Sequence, residues 1–259
     1  MGVLNVTPDS FSDGGLWLDP VAAVRHGHEM MESGAAIIDV GGESTRPGAI
    51  DVTREEELSR VIPVIKVLAE SGALISIDTR KPAVAQAAVE AGASIINDTT
   101  GESTDYKMDE VVAEAGTAVI TMHSRGTPTT MRSLVDYEDV VQDVRAWLRH
   151  RAEKLEEAGV RRESIVVDPG IGFAKSAEQS LVLLRRIESI VDIGYPVLIG
   201  TSRKSFIGSV LDLPEGDRLE GTAATIAWSV AHGVQIVRVH DVRAMSRVAE
   251  MTAAIASGA

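Results

Sequence analysis

Short runs of β-branched and aliphatic residues alternate along the whole chain with longer amphipathic stretches. Eight of these runs have the length and composition of strands. They cover residues 2–6, 36–40, 74–78, 94–97, 118–122, 165–167, 197–201 and 236–240. Strands that alternate with helices form parallel sheets, and nearly continuous apolar strands such as 197–199 need cover on both faces. The pattern therefore predicts an α/β protein.

The stretches between the predicted strands carry apolar residues at helical spacing. One stripe consists of Val140, Val141, Val144, Leu148, Ala152 and Leu155, and another of Leu181, Leu184, Ile187 and Val191. Capping-box spacing at Thr53 with Glu56, and at Ser176 with Gln179, predicts two helix starts. Five glycines predict helix ends: Gly34, Gly72, Gly92, Gly116 and Gly159. Pro63 either begins the second helix or kinks it.

Eight strand–helix units predict a sheet that closes on itself as a (β/α)8 TIM barrel, with an open doubly wound sheet as the alternative. The chain has 259 residues and 44% apolar content, enough for one sizeable core. It contains no linker or low-complexity tract. We therefore expect a single domain over residues 1–259.

Composition narrows the classes of function. The net charge is −13 and the 25 basic residues form no Lys/Arg run, which argues against a nucleic-acid partner. The absence of Cys excludes disulfides and Cys-ligated zinc. No apolar run reaches the roughly 20 residues of a membrane span, and residues 1–20 lack a signal-peptide pattern, so we expect a cytoplasmic protein without a membrane partner.

Polar side chains stand at the carboxyl ends of the predicted strands, where a (β/α)8 barrel places its active site. They are Asn5, Asp39, Asp78, Asn97, Asp98, His123, Asp168, Ser202, Arg203, Lys204, Ser205, Arg238 and His240. Any one of them could simply cap a helix or bond a loop amide. Together they predict a catalytic rim.

Five segments resemble the signature segments of the dihydropteroate synthases, in order from the first strand to the last. They are NVTPDSFSDGG (5–15), DVGGESTRPG (39–48), DPGIGFAK (168–175), SRKSFIG (202–208) and RVHDV (238–242). The resemblance implies a transferase of folate biosynthesis that condenses 6-hydroxymethyl-7,8-dihydropterin pyrophosphate with p-aminobenzoate and releases pyrophosphate. It also implies a homodimer formed by the outer helices of the later strands, and a target of sulfonamides.

The resemblance also implies residue roles for the pterin ring. A carboxylate can accept both hydrogens of the ring's amino group and adjacent N–H, and Asp168 resembles the family residue that does so. Asn97 and Asp78 flank the same ring. Met122 and Arg238 can sandwich it, although ordinary core packing is an equal reading of Met122. Lys204 borders both substrates, and Phe173 and Ser205 complete this part of the site.

Arg238 and His240 lie two residues apart on one strand, so alternation places them on the same face as two donors for an anion. We expect the pyrophosphate there. Asn5 resembles the family's magnesium–pyrophosphate ligand, and an amide oxygen suits Mg²⁺, the expected cofactor. The alternative for Asn5 is a buried amide that satisfies the backbone at a strand end.

Two segments rich in Gly and polar residues, 7–15 and 43–48, follow the first two predicted strands. We expect them to be mobile without ligands and to complete the p-aminobenzoate pocket after the pterin substrate binds. Phe11 and Pro47 would form apolar walls, while Thr45 and Arg46 would contact the anionic ligands. Asp13 and Arg46 belong with Phe11 to the expected catalytic set.

Two other functions would use part of this site. A pterin-dependent corrinoid methyltransferase would share Asp78, Asn97 and Asp168, but it has no use for an Arg/His anion site. A non-catalytic pterin-binding paralogue would show damage in the two segments or at residues 202–204, and none is present.

Overall fold

The computed structural model describes residues 1–7, 19–44, 49, 51–101 and 107–258. Within them lie eight strands: β1 Gly2–Asn5, β2 Ile38–Gly41, β3 Ile75–Asp78, β4 Ile95–Asp98, β5 Ala118–Met122, β6 Ile165–Asp168, β7 Leu198–Ile199 and β8 Ile236–Val237. The α-helices of this part are α1 Pro20–Glu32, α2 Arg54–Glu70, α3 Pro82–Glu90, α4 Lys107–Ala115, α5 Val140–Glu157, α6 Ala177–Arg185, α7 Glu188–Val191, α8 Ser205–Leu211, α9 Leu219–Ala231 and α10 Val242–Ser257.

The strands close into a parallel barrel. β1 to β6 pair in chain order, and β7 pairs with β8. Single parallel bridges join the two sheets at Val167 with Val197 and at Gly2 with Val239. At the second bridge the Val3 N–H donates to the Val239 carbonyl at 3.0 Å. The predicted (β/α)8 barrel is confirmed, and the open sheet is wrong.

Gly2 begins β1, whereas Val239 lies beyond the end of β8. A closed barrel of tilted strands requires such a stagger where the last strand meets the first. Most strands fall within two residues of their predicted bounds, and β5 matches them. β7 and β8 have only two residues each, and Val197 and Val239, which lie outside them, form the single bridges across the two seams.

The predicted helix signals are mostly confirmed. All six residues of the α5 stripe are buried. The Thr53 hydroxyl accepts from the Glu56 N–H at 3.2 Å, and Ser176 with Gln179 forms a complete capping box. The five glycines expected at helix ends all have positive φ. α2 runs through Pro63, so this proline does not begin the helix.

The stripe predicted over residues 181–191 is wrong at its first member, since Leu181 is 41% exposed. Ser180 occupies the core-facing position instead, with its hydroxyl donating to the Ser176 carbonyl at 2.8 Å. The next residue along a helix points about 100° away, which turns Leu181 outward. The helix also stops at Arg185, and the chain starts a second short helix, α7.

Most of the buried apolar side chains fill the layer between the strands and the outer helices. Within the described residues, no helix is both long and apolar enough to cross a membrane.

Candidate active site

The barrel interior changes from apolar to polar between two successive layers of side chains. The lower layer contains Ile37, Ile95, Val166 and Ile236, which belong to a separate inner apolar cluster. The residue two positions after each of these lies on the same face of its strand. These residues are Asp39, Asn97, Asp168 and Arg238. A layer of four side chains from alternate strands is typical of a TIM barrel, and here that layer is polar and lies towards the carboxyl end.

Arg238 links the acids of this layer. Its Nε donates to Asp39 Oδ2 at 2.6 Å, and its Nη2 donates to Asp78 Oδ2 at 2.8 Å. The Asn97 amide also donates to Asp39 Oδ2, at 3.1 Å. Two predicted pterin residues and the predicted anion residue therefore form one network.

Burial determines the electrostatics of this network. It raises the pKa of Asp78 to about 7, although Arg238 acts to lower it. Burial also disfavours the charge of Arg238, but Asp39 and Asp78 outweigh it and raise the pKa of the guanidinium. Arg238 therefore keeps its charge, while Asp78 titrates near neutral pH.

Asp168 ends β6, and one of its two carboxylate oxygens accepts a hydrogen bond from the protein. Its Oδ1 accepts from the Gly170 N–H at 2.7 Å. Its Oδ2 makes no hydrogen bond to the residues that the structure describes. A Cβ at Gly170, whose φ is +64°, would lie 2.0 Å from the His123 carbonyl oxygen, so only glycine fits here. The loop after β6 thus packs on the end of β5 and fixes the Asp168 carboxylate.

Lys204 lies across this loop. Its ammonium donates to the Ile171 carbonyl and lies 4.5 Å from the centre of the Phe173 ring. Burial lowers the pKa of Lys204 to about 8, against the raising effect of Asp168. Burial also raises the pKa of Asp168, and Lys204 opposes that shift. Lys204, Phe173 and Asp168 therefore meet at one side of the pocket, while Ser205 is exposed at the start of α8.

Met122 ends β5 and is paired in register with Asp168. Its side chain is buried, yet it belongs to neither apolar cluster of the barrel. Its Cγ lies 3.3 Å from the position of a Cβ on Gly170. These contacts favour a place in the pocket wall over ordinary core packing.

Asn5, the last residue of β1, and His240, which follows β8, lie on either side of the second seam. No hydrogen bond joins the Asn5 side chain to another described residue, which disfavours its reading as a backbone-satisfying amide. Its Oδ1 lies 3.6 Å from the position of a Cβ on Gly41. His240 is half-buried, and its Nδ1 lies 3.0 Å from the Ser202 hydroxyl.

Sequence reasoning assigned no role to three groups of this site. Asp39, which the sequence placed on the rim without a function, is fully buried inside the polar layer, and a charged residue between Ile38 and Val40 in a strand is the signal for such a place. Ser202 bonds His240. Lys175 donates to His123 Nδ1 at 2.9 Å and to the Phe173 carbonyl at 2.9 Å, which ties the ends of β5 and β6 together.

Five predicted site residues lie outside the described residues: Phe11, Asp13, Thr45, Arg46 and Pro47. The expected mobility of segments 7–15 and 43–48 therefore stays a prediction. In the described ranges, no three His, Asp or Glu side chains gather as metal ligands. A metal in this part would need amide or ligand oxygens.

Comparison with known proteins gives one consistent result. The model of the pterin-binding enzyme family matches residues 1–240. The dihydropteroate synthase of Bacillus subtilis is 49% identical over 252 residues, which cover 97% of this chain and 86% of the relative. Solved structures of two other dihydropteroate synthases are also similar to this chain.

The structure of the Yersinia pestis enzyme in a sulfonamide drug complex has a TM-score of 0.95 and 38% identity, and the match covers 99% of this chain and 94% of that one. The structure of the Thermus thermophilus enzyme in complex with 4-aminobenzoate has a TM-score of 0.89 and 40% identity, and the match covers 98% of this chain and 93% of that one.

Proposed function

The chain belongs to the pterin-binding enzyme family and, within it, to the dihydropteroate synthases, and from that premise we propose which residues carry each part of the reaction. The reaction joins 6-hydroxymethyl-7,8-dihydropterin pyrophosphate to p-aminobenzoate and gives 7,8-dihydropteroate and pyrophosphate, a transferase step of folate biosynthesis. The observation that carries the assignment of roles is the polar layer of Asp39, Asn97, Asp168 and Arg238 at the carboxyl end of a closed barrel.

Asp168 binds the amino and ring N–H groups of the pterin. The Gly170 N–H fixes the carboxylate through Oδ1, and Oδ2 makes no hydrogen bond within the described chain. Asn97 has both a donor and an acceptor for the mixed edge of the ring. Met122 supplies a polarizable surface for one ring face. The pocket is buried, so a polar group of the ring without a hydrogen-bond partner would weaken binding. The pterin therefore binds in one orientation.

Lys204 donates to the carbonyl side of the pterin. Its ammonium already lies between the Ile171 carbonyl and the Phe173 ring, on the same side as Asp168. With a pKa of about 8 it is mostly charged at neutral pH. Phe173 and Ser205 border the entry for the arylamine.

Arg238, His240 and Asn5 bind the pyrophosphate. Asp39 and Asp78 hold Arg238 at its Nε and Nη2, and its Nη1 makes no hydrogen bond to the described residues. Asn5 fits Mg²⁺, because its amide oxygen is a hard ligand at the rim that no described donor occupies. Mg²⁺, when bound, supplies positive charge to the oxygens of the leaving pyrophosphate.

The substitution proceeds by loss of pyrophosphate before attack. The C–O bond to pyrophosphate breaks with its electron pair on oxygen, and the dihydropterin carries the positive charge on its exocyclic methylene. Asp39, Asp78 and Asp168 surround the ring with carboxylates that stabilise this charge. The arylamine nitrogen then forms the C–N bond and releases a proton. The scheme needs no covalent intermediate with the protein.

We extend the proposal to a homodimer through the outer helices of the later strands. Exposed apolar side chains lie on α6, α8 and α9, namely Leu181, Val210, Leu211, Leu219 and Trp228. These helices pack beside one another, so their exposed residues lie on one side of the barrel. Light scattering should give twice the chain mass, and Val210→Glu should reduce it to the monomer mass.

The anion site is tested by calorimetry with two ligands. Asn5→Ala should weaken binding of pyrophosphate with Mg²⁺ by about tenfold, the equivalent of one metal-linked contact. Binding of a dihydropterin without the diphosphate should stay unchanged in the same protein, which serves as the control. Equal losses for both ligands would show that Asn5 supports the pocket generally and does not bind the pyrophosphate.

A further inference from the structure

Ser202 and His240 are joined across the ends of β7 and β8. The Ser202 hydroxyl is buried and lies 3.2 Å from the His240 backbone nitrogen and 3.0 Å from its ring Nδ1. One residue further along each strand end, the Arg203 guanidinium donates to both oxygens of Asp241, at 2.9 and 2.6 Å. The two strand ends are therefore bonded at two successive positions.

The backbone that carries Ser202 is also fixed. Arg203 has a φ of +59°, an uncommon conformation for a residue with a side chain. Its N–H donates to the Thr222 hydroxyl at 3.1 Å, and its carbonyl accepts from Arg218 Nη1 at 2.9 Å. Bonds to both backbone groups and to the side chain hold this conformation, so the Ser202 hydroxyl has one position relative to the imidazole.

The position of the hydroxyl proton follows from these bonds. The His240 N–H can only donate, so one lone pair of Ser202 Oγ accepts it. The remaining contact is to Nδ1, and Ser202 makes no further hydrogen bond to the described residues. If the ring donated at Nδ1, the buried hydroxyl hydrogen would have no acceptor there, which is unfavourable. The hydroxyl therefore donates to Nδ1, and the neutral ring carries its proton on Nε2.

We propose that Ser202 is a positioning residue that holds neutral His240 in its Nε2–H form. The proposal rests on the proposed function, in which His240 contacts the departing pyrophosphate. In this form the ring presents an N–H donor to a phosphate oxygen, whereas the other tautomer would present a lone pair and repel it. Ser202 itself contacts no substrate and transfers no proton.

Among the residues that the structure describes, charged and titratable groups approach His240 from α1, from α10 and from the ends of β7 and β8. α1 contributes His26 and Glu29 to the cleft that His240 also lines, and Arg243 of α10 lines the same cleft. Arg238 precedes His240 by two residues, and the Arg203–Asp241 pair lies beside it. Only the neutral ring has two tautomers, so the measurement is made at a pH where the ring is neutral.

The direct test is ¹⁵N–¹H NMR of the ring nitrogens in the labelled, full-length protein. His240 is one of six histidines and is assigned by the loss of its signals in His240→Gln. The wild type and Ser202→Thr should show a protonated Nε2 and a bare Nδ1. Ser202→Ala should show a mixture of tautomers. A protonated Nδ1 in the neutral wild-type ring would overturn the proposal.

Kinetics then separate a positioning role from a structural one. Ser202→Ala should lower kcat about 3- to 10-fold, the rate equivalent of one hydrogen bond, and should leave the KM for p-aminobenzoate unchanged. Ser202→Thr should restore most of kcat. Ser246→Ala removes a hydroxyl on α10 that bonds the Ser33 carbonyl and serves as the matched control.

The outcomes distinguish the proposal from the function on which it rests. A loss of activity in His240→Gln with an unchanged kcat in a tautomer-mixed Ser202→Ala protein would overturn the role of Ser202 alone. An unchanged kcat in both variants would remove His240 from the anion site and overturn both proposals. A fall in kcat that accompanies the tautomer mixture, rescued by Ser202→Thr, supports them.

Discussion

At the scale of single residues, Asp168 has two separate tasks. Its Oδ1 accepts the Gly170 N–H and so shapes the loop after β6, while Oδ2 is directed to the pterin in our proposal. Removing the whole carboxylate would disturb both. The isosteric change to asparagine keeps an oxygen for Gly170 and removes only the second acceptor.

We therefore predict that Asp168→Asn folds as the wild type does but lowers kcat/KM about 30- to 1000-fold, equivalent to about 2 to 4 kcal/mol, because the ring donors lose a charged partner. Steady-state rates and binding of the pterin substrate would measure this. Wild-type affinity of the variant for the pterin substrate would refute the role of Asp168.

Lys204 gives the reaction a dependence on pH. Burial lowers the pKa of its ammonium to about 8, so the charge is present below that pH and is lost as the pH rises through it. We predict an alkaline fall in kcat/KM with an apparent pKa near 8, since kcat/KM reports the free enzyme. Lys204→Arg should be slower but should move this limb upward, out of the range of the assay. An alkaline limb that stays in place in Lys204→Arg would assign it to another group.

The sequence predicted which residues lie in the site better than it predicted the hydrogen bonds between them. Asp168, Asn97 and Asp78 meet in the structure, because alternation and the strand ends determine which side chains reach the rim. The pairing of Arg238 with Asp39 and Asp78 was not predictable, since 199 positions separate Arg238 from Asp39 and only barrel closure brings them together. Asp39 in particular has no helical or capping signal around it.

At the scale of elements, Thr79, Arg80 and Lys81, which follow β3, form a network of hydrogen bonds with three acidic residues. Glu57 lies in the first turn of α2, and Glu43 and Asp51 lie on either side of segment 44–50. Arg80 Nη2 donates to Glu43 at 2.9 Å and to Asp51 at 3.0 Å. Lys81 donates to Glu43 at 2.5 Å and to Glu57 at 2.6 Å, and the Thr79 hydroxyl donates to Glu57 at 2.7 Å. Glu57 is fully buried, and its two carboxylate oxygens accept hydrogen bonds from Thr79 and Lys81 of this network.

We predict that Lys81→Met destabilises the protein by about 3 kcal/mol, because it leaves one fully buried carboxylate and one nearly buried carboxylate short of a cation. The value is at the low end for a buried pair, since the Lys81 side chain is 25% exposed and Arg80 still contacts Glu43. Urea unfolding measures it. Arg54→Ala breaks an exposed pair with Glu55 and should leave the urea midpoint nearly unchanged. Equal losses in the two variants would contradict the importance of burial.

The helices show which features of a helix can be predicted from the local sequence. Caps at Thr53 and Ser176 were confirmed because they depend only on neighbours in the chain. The position of Leu181 was not, because Ser180 turns to the core and the helix ends at Arg185. The length of a helix and the side chains that it buries also depend on the barrel against which it packs. A short stretch of sequence does not contain these long-range contacts, so they could not be predicted from it.

At the scale of the whole molecule, a protein with a net charge of −13 handles a pyrophosphate ester. The surface field opposes this ligand, so the attraction has to be local. In our proposal Arg238 and His240 supply it at the carboxyl end of the barrel, where burial strengthens the interactions of Arg238. Barrel closure places these two residues, which follow β8, beside β1, where Asn5 ends the strand.

The central claim is that this rim joins the two substrates with loss of pyrophosphate. The most direct measurement incubates the folded protein with dihydropterin pyrophosphate, Mg²⁺ and labelled p-aminobenzoate and follows labelled dihydropteroate and released pyrophosphate together. We predict that the two products form in equal amounts, and that omission of p-aminobenzoate stops the steady release of pyrophosphate. Folded protein that yields no dihydropteroate, or that releases pyrophosphate steadily without the arylamine, would contradict the claim.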